Sequence, residues 1–515
     1  MSSRLDPSVR RSSRGERLLV ALLTAAFVLL GATSALLVPV LQAPDETAHI
    51  DTALHLALGD GYVAPAEERV LAAVQEAESS AASTPAADRP TWGELLRDHP
   101  GETTRVDQMT QHPPTWYLIA AGVLRAVGFE HVRWDLTVLM LRLLGVGFVA
   151  PVPLLTWMTL RRLLGSPRIA IVGAIAVLAV PQVVHIGASV SNDPPVILLG
   201  AVVTWLVARV LTGERRLPTL LGLGVAAGLA AWFKGTGLPA VPFAAIATLV
   251  AAPLAGRTPQ LRRRLLDTLL VLATAGLVGA WWWVRNLVVH RTLQPEGLPR
   301  AAVPWDPGTG PDLGYFVNHE WDGVTASFWG YFGKLQYPMS PILTDLLSFA
   351  VLVAVAASFA RGPHRRTALV LAVFPVVPAL LLLRTNWSAY DALHQIAAAQ
   401  GRYLFVALVP VVALCVIGCL RLTDRSPVLR RRLGLAVVVG APVVALYGLS
   451  IAYRGFWEGA HTTITRTGLA HLASLTPGGR GALAVVVVLM LVSLVALVVA
   501  SWRSVRDRAT PEATH

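Results

Sequence analysis

Pro44-Asp45-Glu46-Thr47-Ala48-His49 places Asp45, Glu46 and His49 at the point where the first long apolar run ends. Carboxylates at the edge of lipid are costly unless they are paired, solvated or used, so a chemical role is the working expectation. A plain helix start is compatible with it, because Asp45 and Glu46 would favour the positive end of a helix running through Ala53 and Leu56. Three cations stand at the ends of other apolar runs. Lys234 lies in Trp232-Phe233-Lys234-Gly235-Thr236-Gly237, Arg285 follows Trp281-Trp282-Trp283 and precedes Asn286, and Arg402 opens a run in Gln400-Gly401-Arg402-Tyr403. Such cations suit an anionic group carried by a lipid, a phosphate above all. Each taken singly could equally reach out to the headgroups. Asp193, in Ser191-Asn192-Asp193-Pro194-Pro195, could serve a site or simply make a turn and helix start.

The elements that must position these residues are membrane spans. A mean hydropathy of +0.58 with 54% hydrophobic and 14% charged residues excludes a soluble enzyme. Apolar runs long enough to cross hydrocarbon as helices recur along the whole chain, and alternating ten-residue strands of a barrel do not. The net charge of +12 does not point to nucleic acid, because the arginines sit in short loops between apolar runs. Spans are predicted over 18–41, 136–160, 168–188, 195–212, 217–233, 237–254, 265–287, 341–360, 367–383, 402–420, 433–452 and 481–502. The run 113–129 is ambiguous by hydropathy. If it lies along the surface, the clusters Arg161-Arg162, Arg215-Arg216, Arg262-Arg263-Arg264, Arg365-Arg366 and Arg430-Arg431-Arg432 all fall on the side of the basic N-terminus. About twelve spans result, with both termini cytoplasmic. Residues 1–17 and 503–515 are then cytoplasmic tails, 18–287 a first transmembrane module and 341–502 a second.

This topology gathers the polar motifs on the outer side. The loop 43–135 carries Asp45, Glu46, His49 and His112; its part 66–79 reads as helical and acidic, and 79–90 as a flexible Ala/Ser/Pro stretch. The loop 288–340, rich in Gly, Pro and aromatics, reads as a lid at the interface. Lys234 and Lys334, the chain's two lysines, both fall outside. Cys415 and Cys419 read as small core residues and not as metal ligands. No Walker or dinucleotide motif occurs, so a nucleotide-driven pump is not expected.

Asp45-Glu46-Thr47-Ala48-His49 resembles the Asp-Glu-x-x-His signature in the first outer loop of GT-C glycosyltransferases, notably protein O-mannosyltransferases. His112-Pro113-Pro114-Thr115-Trp116-Tyr117 is similar to the His-Pro-Pro segment of the same loop, and Ser191-Asn192-Asp193 to the family's second acidic loop. Leu229-Ala230-Ala231-Trp232-Phe233-Lys234-Gly235 is similar to its Gly/Lys span end. Trp281–Asn286, Ser327–Gly333 and Gln400–Tyr403 look closer still to an uncharacterised bacterial GT-C branch known as a domain of unknown function. The resemblance runs from about residue 20 to 420.

It implies an all-α polytopic GT-C-like fold with surface-lying helices, and transfer of a sugar from a polyprenyl-phosphate donor on the outer face of a bacterial plasma membrane. Asp45 would be the general base, with Glu46 and His49 orienting it or the acceptor. Lys234, Arg285 and Arg402 would hold the phosphate, and Asp193 would meet sugar or acceptor. His112, Asn286 and Tyr403 complete the expected substrate-binding set. One base suffices because phosphate leaves as a weakly basic anion, and direct displacement predicts inversion. The soluble MIR domain of protein O-mannosyltransferases has no counterpart here, so an envelope glycan or lipid is the expected acceptor. No cofactor is expected; Asp45, Glu46 and Asp193 could hold Mg or Mn, but the mannosyltransferase-like signature points to metal-free chemistry. A secondary transporter, with Arg142 as its deepest charge, and a non-catalytic flippase or assembly protein are the rival classes.

Overall fold

The computed structural model describes residues 12–250, 260–396, 398–459 and 463–506. The expected cytoplasmic tails lie mostly outside these residues. The first transmembrane helix, α1 (Arg14–Leu37), is capped by Ser13, whose hydroxyl accepts from the Glu16 amide at 3.1 Å. It leads into α2 (Glu46–Leu58), strand β1 (Arg69–Leu71), α3 (Ala72–Ser80), α4 (Trp92–Asp98), β2 (Glu102–Val106) and α5 (Thr115–Ala126). The chain then runs through α6 (Trp134–Val149), α7 (Val152–Leu164), α8 (Pro167–Ile175), α9 (Pro181–Gly187), α10 (Asp193–Leu211), α11 (Leu217–Phe233), α12 (Ala240–Val250) and α13 (Leu261–His290). After the second long loop, which holds α14 (Leu313–Trp329) and the short pair β3 (Tyr331–Phe332) and β4 (Tyr337–Pro338), come α15 (Pro341–Ser358) and α16 (Arg365–Leu393). The described residues close with α17 (Leu408–Leu422), α18 (Pro427–Trp457), α19 (Arg466–Leu475) and α20 (Gly479–Arg506).

Among the described residues nine helical segments are long and apolar enough to cross a membrane. The expected span 168–188 is instead a pair, Pro167–Ala179 and Pro181–Gly187, bent by 69° where Pro181 cannot continue the helix. The spans expected at 217–233 and 237–254 are shorter apolar helices, Leu217–Phe233 and Gly235–Val250. The expected count of twelve is therefore met only if the bent pair and both short helices cross. Helix α5 has 12 residues, about 18 Å of helix, too short to span.

Packing sets where the polar ends meet. Helices α11 and α13 touch backbone to backbone: a Cβ on Gly279 would come 2.1 Å from the Gly228 carbonyl oxygen. This brings the end of α11, before Lys234, beside the last turns of α13, which carry Arg285. The arginine-rich helix ends lie at the other end of the bundle. There Arg161 Nε pairs with Glu16 at 3.0 Å, Arg215 with Asp267 at 2.8 Å, and Arg162 and Arg209 both with Glu214.

The first long loop is a small folded unit. Strands β1 and β2 pair antiparallel, with Arg69 opposite Val106 and Leu71 opposite Glu102 across a bulge. The stretch 79–90, expected to be flexible, is pinned instead. Arg89 donates to the carbonyls of Ala81 and Thr84 and to Asp135, at 2.9, 3.2 and 3.1 Å. Buried Trp92 donates to the Thr137 hydroxyl at 2.8 Å, fixing the unit on α6. The second long loop is more than an aromatic lid: α14 packs beside α15, with Trp321 and Trp329 hydrogen-bonded to Asp345 and Ser348 at 2.8 Å.

Candidate active site

Asp45 sits at the N-cap of α2, with the left-handed φ of +58°. Aspartate tolerates this region better than most residues, yet holding it there costs on the order of 1–3 kcal/mol. The expected capping role is not the one observed, for its side chain makes no cap hydrogen bond. The carboxylate turns instead to Arg402 and accepts from Nη2 at 2.6 Å. Burial alone would raise the Asp45 pKa, but Arg402, His49 and Lys234 together hold it well below the ordinary carboxylate range. About a third of its side chain, 35%, stays accessible, whereas Arg402 is 6% accessible. The carboxylate is therefore ionised, partly open to solvent and anchored from behind by Arg402.

The cluster continues inward. Arg402 Nη1 lies 4.0 Å from Asp193 Oδ2, and Lys234 Nζ donates to Asp193 Oδ1 at 2.6 Å. The Tyr403 ring faces both cations, its centre 5.3 Å from the Arg402 guanidinium and 5.8 Å from Lys234 Nζ. Asp193 opens α10 with its amide donating to the Ser191 hydroxyl at 3.1 Å, so the turn and the site are one feature. Lys234 leaves α11 in an extended conformation. Arg402 stands in the 3-10 turn Gly401–Ala407, whose Gly401 amide donates to Ser327 Oγ at 2.7 Å. Two buried polar atoms here carry no partner: Arg402 Nε and Asn192 Oδ1.

Glu46 lies elsewhere. It is fully buried and forms a two-pronged ion pair with Arg142, Oε1 to Nε at 2.7 Å and Oε2 to Nη2 at 2.6 Å. Arg142 also donates to the carbonyls of Ala35, Val38 and Pro39, at 2.8, 2.7 and 2.8 Å. The Glu46 carboxylate further accepts from the Val190 amide at 3.1 Å. Expected to orient the base or the acceptor, Glu46 cannot meet an acceptor from this position. It ties the α1–α2 turn to α6 and to the segment before α10, which holds Asp45 and Asp193 in register.

His49, one turn beyond Asp45, is buried with Nδ1 3.0 Å from the Tyr117 hydroxyl. Burial pushes its pKa down to about 4, so the ring is neutral near pH 7. His112 joins from the start of α5, which Thr115 fastens to the Trp232 carbonyl at 2.8 Å. Its carbonyl accepts from Tyr62 at 2.8 Å, its Nδ1 is buried without a partner, and burial with Lys234 nearby keeps its pKa well below the usual value. Arg285 stands apart from the Asp45–Lys234 cluster, exposed at the rim with its guanidinium 5.1 Å from the Trp282 ring centre. Asn286 is buried and donates to the Leu293 carbonyl at 3.0 Å. Tyr117 and Tyr62 were not among the expected residues. Their signal was position alone, Tyr117 one turn past His112-Pro113-Pro114.

The carboxylates considered for Mg or Mn are each answered by a cation of the chain: Asp45 by Arg402, Glu46 by Arg142 and Asp193 by Lys234. Cys415 and Cys419 are free, half-buried and line a largely apolar cavity of about 610 Å³. Arg168, Arg430 and Arg431 line it too, as do Phe328 and Trp329. Phe328 packs directly on Gly401.

Residues 111–283 match the family model described as dolichyl-phosphate-mannose-protein mannosyltransferase. The match covers about a third of the chain. The matched segment includes His112, Asp193 and Lys234 but ends before Arg285 and Arg402 and begins after Asp45. Curated proteins give no match to the sequence. Among solved structures, the chain is similar to ArnT from Cupriavidus metallidurans bound to undecaprenyl phosphate. That likeness has 15% identity and a TM-score of 0.46, over 94% of this chain and 77% of that one. It is also similar to the Archaeoglobus fulgidus oligosaccharyltransferase in complex with Zn and sulfate, with 10% identity and a TM-score of 0.40 over 86% of this chain and 57% of that one.

Proposed function

We propose that the protein transfers one sugar from a polyprenyl-phosphate donor to an envelope glycan or lipid acceptor on the extracytoplasmic face of a bacterial plasma membrane. The observation that carries this reading is the half-open Asp45 carboxylate held by Arg402, with Lys234 and Asp193 directly behind it. In the reaction an acceptor hydroxyl attacks the anomeric carbon, the bond from that carbon to the phosphate oxygen breaks, and the hydroxyl proton passes to Asp45. Polyprenyl phosphate leaves as an anion, and attack opposite the leaving group inverts the anomeric centre.

Lys234 presents three N–H donors and Arg402 five, more than their carboxylate partners use, so a phosphate can bind without stripping the pairs apart. Cations in a water-poor pocket stabilise charge that grows as the bond breaks far better than they would in water. The exposed Arg285 meets the incoming donor at the rim. The apolar cavity lined by Phe328, which packs against Gly401, offers a berth for the prenyl chain. The arginine-rich opposite end of the bundle supports an outward-facing site with cytoplasmic termini. We propose that the transfer itself needs no metal.

Purified protein in nanodiscs, given polyprenyl-phosphate sugars and acceptor fractions, should release polyprenyl phosphate and an inverted product. Asp45→Asn should lower the rate by about 10²–10⁴ with binding of donor retained. Retained configuration, or full activity of Asp45→Asn, would sink the scheme. Solute transport undiminished by that change would favour a transporter.

A further inference from the structure

Away from the reacting groups, Asp51, Glu68 and Asp107 bring carboxylate oxygens within 4.8 Å of one another in the buried interior of the first loop. Asp51 comes from α2, Glu68 immediately precedes β1 and Asp107 immediately follows β2. The strand pairing sets the latter two side by side, with the Asp107 amide donating to the Glu68 carbonyl at 3.0 Å. All three side chains are buried, at 0%, 4% and 0% exposure.

The outer oxygens are spoken for. Asp51 Oδ1 accepts from the Leu71 amide and Asp107 Oδ1 from the Met109 amide, both at 2.9 Å, and Thr52 donates to Glu68 Oε2 at 2.6 Å and to Asp107 Oδ2 at 3.2 Å. Asp51 Oδ2 is different. It is buried, in a residue of that cluster, and has no hydrogen-bond partner. A buried carboxylate oxygen without a donor, in a cluster with two further buried carboxylates, calls for a positive partner.

His55 has Nδ1 2.9 Å from Asp60 Oδ2 and Nε2 3.0 Å from the Arg69 carbonyl, and it stands 3.6 Å from Asp51 Oδ2. We propose that Asp51, Glu68 and Asp107 bind one hard divalent cation, which clamps α2 to the sheet of the first loop. Oxygen-only donors suit Ca²⁺, Mg²⁺ or Mn²⁺ and disfavour Zn²⁺. The cation is structural: Asp51 lies six residues on from Asp45, about 9 Å along α2. Its role is to fix the helix that presents Asp45, and it takes no part in transfer.

The full chain, purified in detergent, stripped with EDTA and re-equilibrated with each of the four metals alone, would be assayed for bound metal by inductively coupled plasma mass spectrometry. The expected result is about one Ca²⁺, Mg²⁺ or Mn²⁺ per chain, with a rise of a few degrees in Tm. In the Asp51→Asn/Asp107→Asn variant, binding should weaken at least tenfold and the Tm rise should vanish. The parent alone decides if the variant fails to fold: no stoichiometric ion in the parent overturns the proposal, because the carboxylates then share protons. Preference for Zn²⁺, or an equal Tm rise in a folded variant, overturns it too.

Discussion

Asp45 is where backbone, charge and access converge. Its strained φ and missing cap bond mean that the start of α2 is shaped for the carboxylate's contact with Arg402, at some cost to the helix. Because Asp45 is held below the usual carboxylate range and His49 near 4, neither group titrates between pH 8 and 5. The rate at saturating donor should therefore be flat across that window, and an acidic limb centred near 6.5 would show that His49 is not the buried neutral ring seen here. Stability follows a related sign. Above 6.5 His49 is neutral whether folded or unfolded, and between 6.5 and about 4 only the unfolded chain takes up the proton, so folding weakens as pH falls.

Glu46 teaches the opposite lesson at the same scale. Glu46→Gln should leave Arg142 with an uncompensated buried charge and cost about 3–5 kcal/mol. Thermal unfolding in detergent checks this, with Glu46→Gln/Arg142→Met expected to recover part of the loss. In sequence, Asp45 and Glu46 are indistinguishable neighbours. One is a base candidate and the other a strut because their partners, Arg402 and Arg142, arrive from far along the chain, a pairing that hydropathy and local motif do not encode.

At the level of elements, the site is made by helix ends and not by helix faces. The start of α2, the start of α10, the end of α11 and the turn Gly401–Ala407 each contribute one ionisable group. Gly401 shows how tightly the last is seated: a Cβ there would lie 2.5 Å from the Val324 carbonyl oxygen and 2.6 Å from Phe328 Cβ. Gly401→Ala should displace Arg402 and lower transfer at least tenfold, since misplacement by about 1 Å can cost 10². Gly440→Ala, whose added Cβ meets nothing within 4 Å, should match the parent in the same assay. These elements were largely legible, because apolar run length and arginine loops mark span ends directly. The folded first loop was not. Its strands are short, and its Ala/Ser/Pro stretch owes its order to Arg89 contacts that composition does not announce.

Across the described residues, the Asp45 cluster gathers at one end of the helical bundle and the arginine-rich helix ends, with Arg161, Arg162, Arg209 and Arg215, at the other. The two long loops meet at the chemical end, where Glu78 accepts from Thr47 at 2.7 Å and from Lys334 at 2.5 Å. Lys334, notable in the sequence only as one of two lysines, thus joins the second loop to the loop that carries Asp45. In the proposed reaction a donor anchored in lipid, Asp45 as base and the cations behind it would form one continuous path from the bilayer to the reacting bond. Deleting the gene in its host, with mass spectrometry of envelope glycans and prenyl-phosphate sugars, tests that path most directly. One glycosyl residue should disappear while its lipid-linked donor accumulates, and the parent sequence but not Asp45→Asn should restore it. Complementation by Asp45→Asn as complete as by the parent would contradict transferase chemistry at this site.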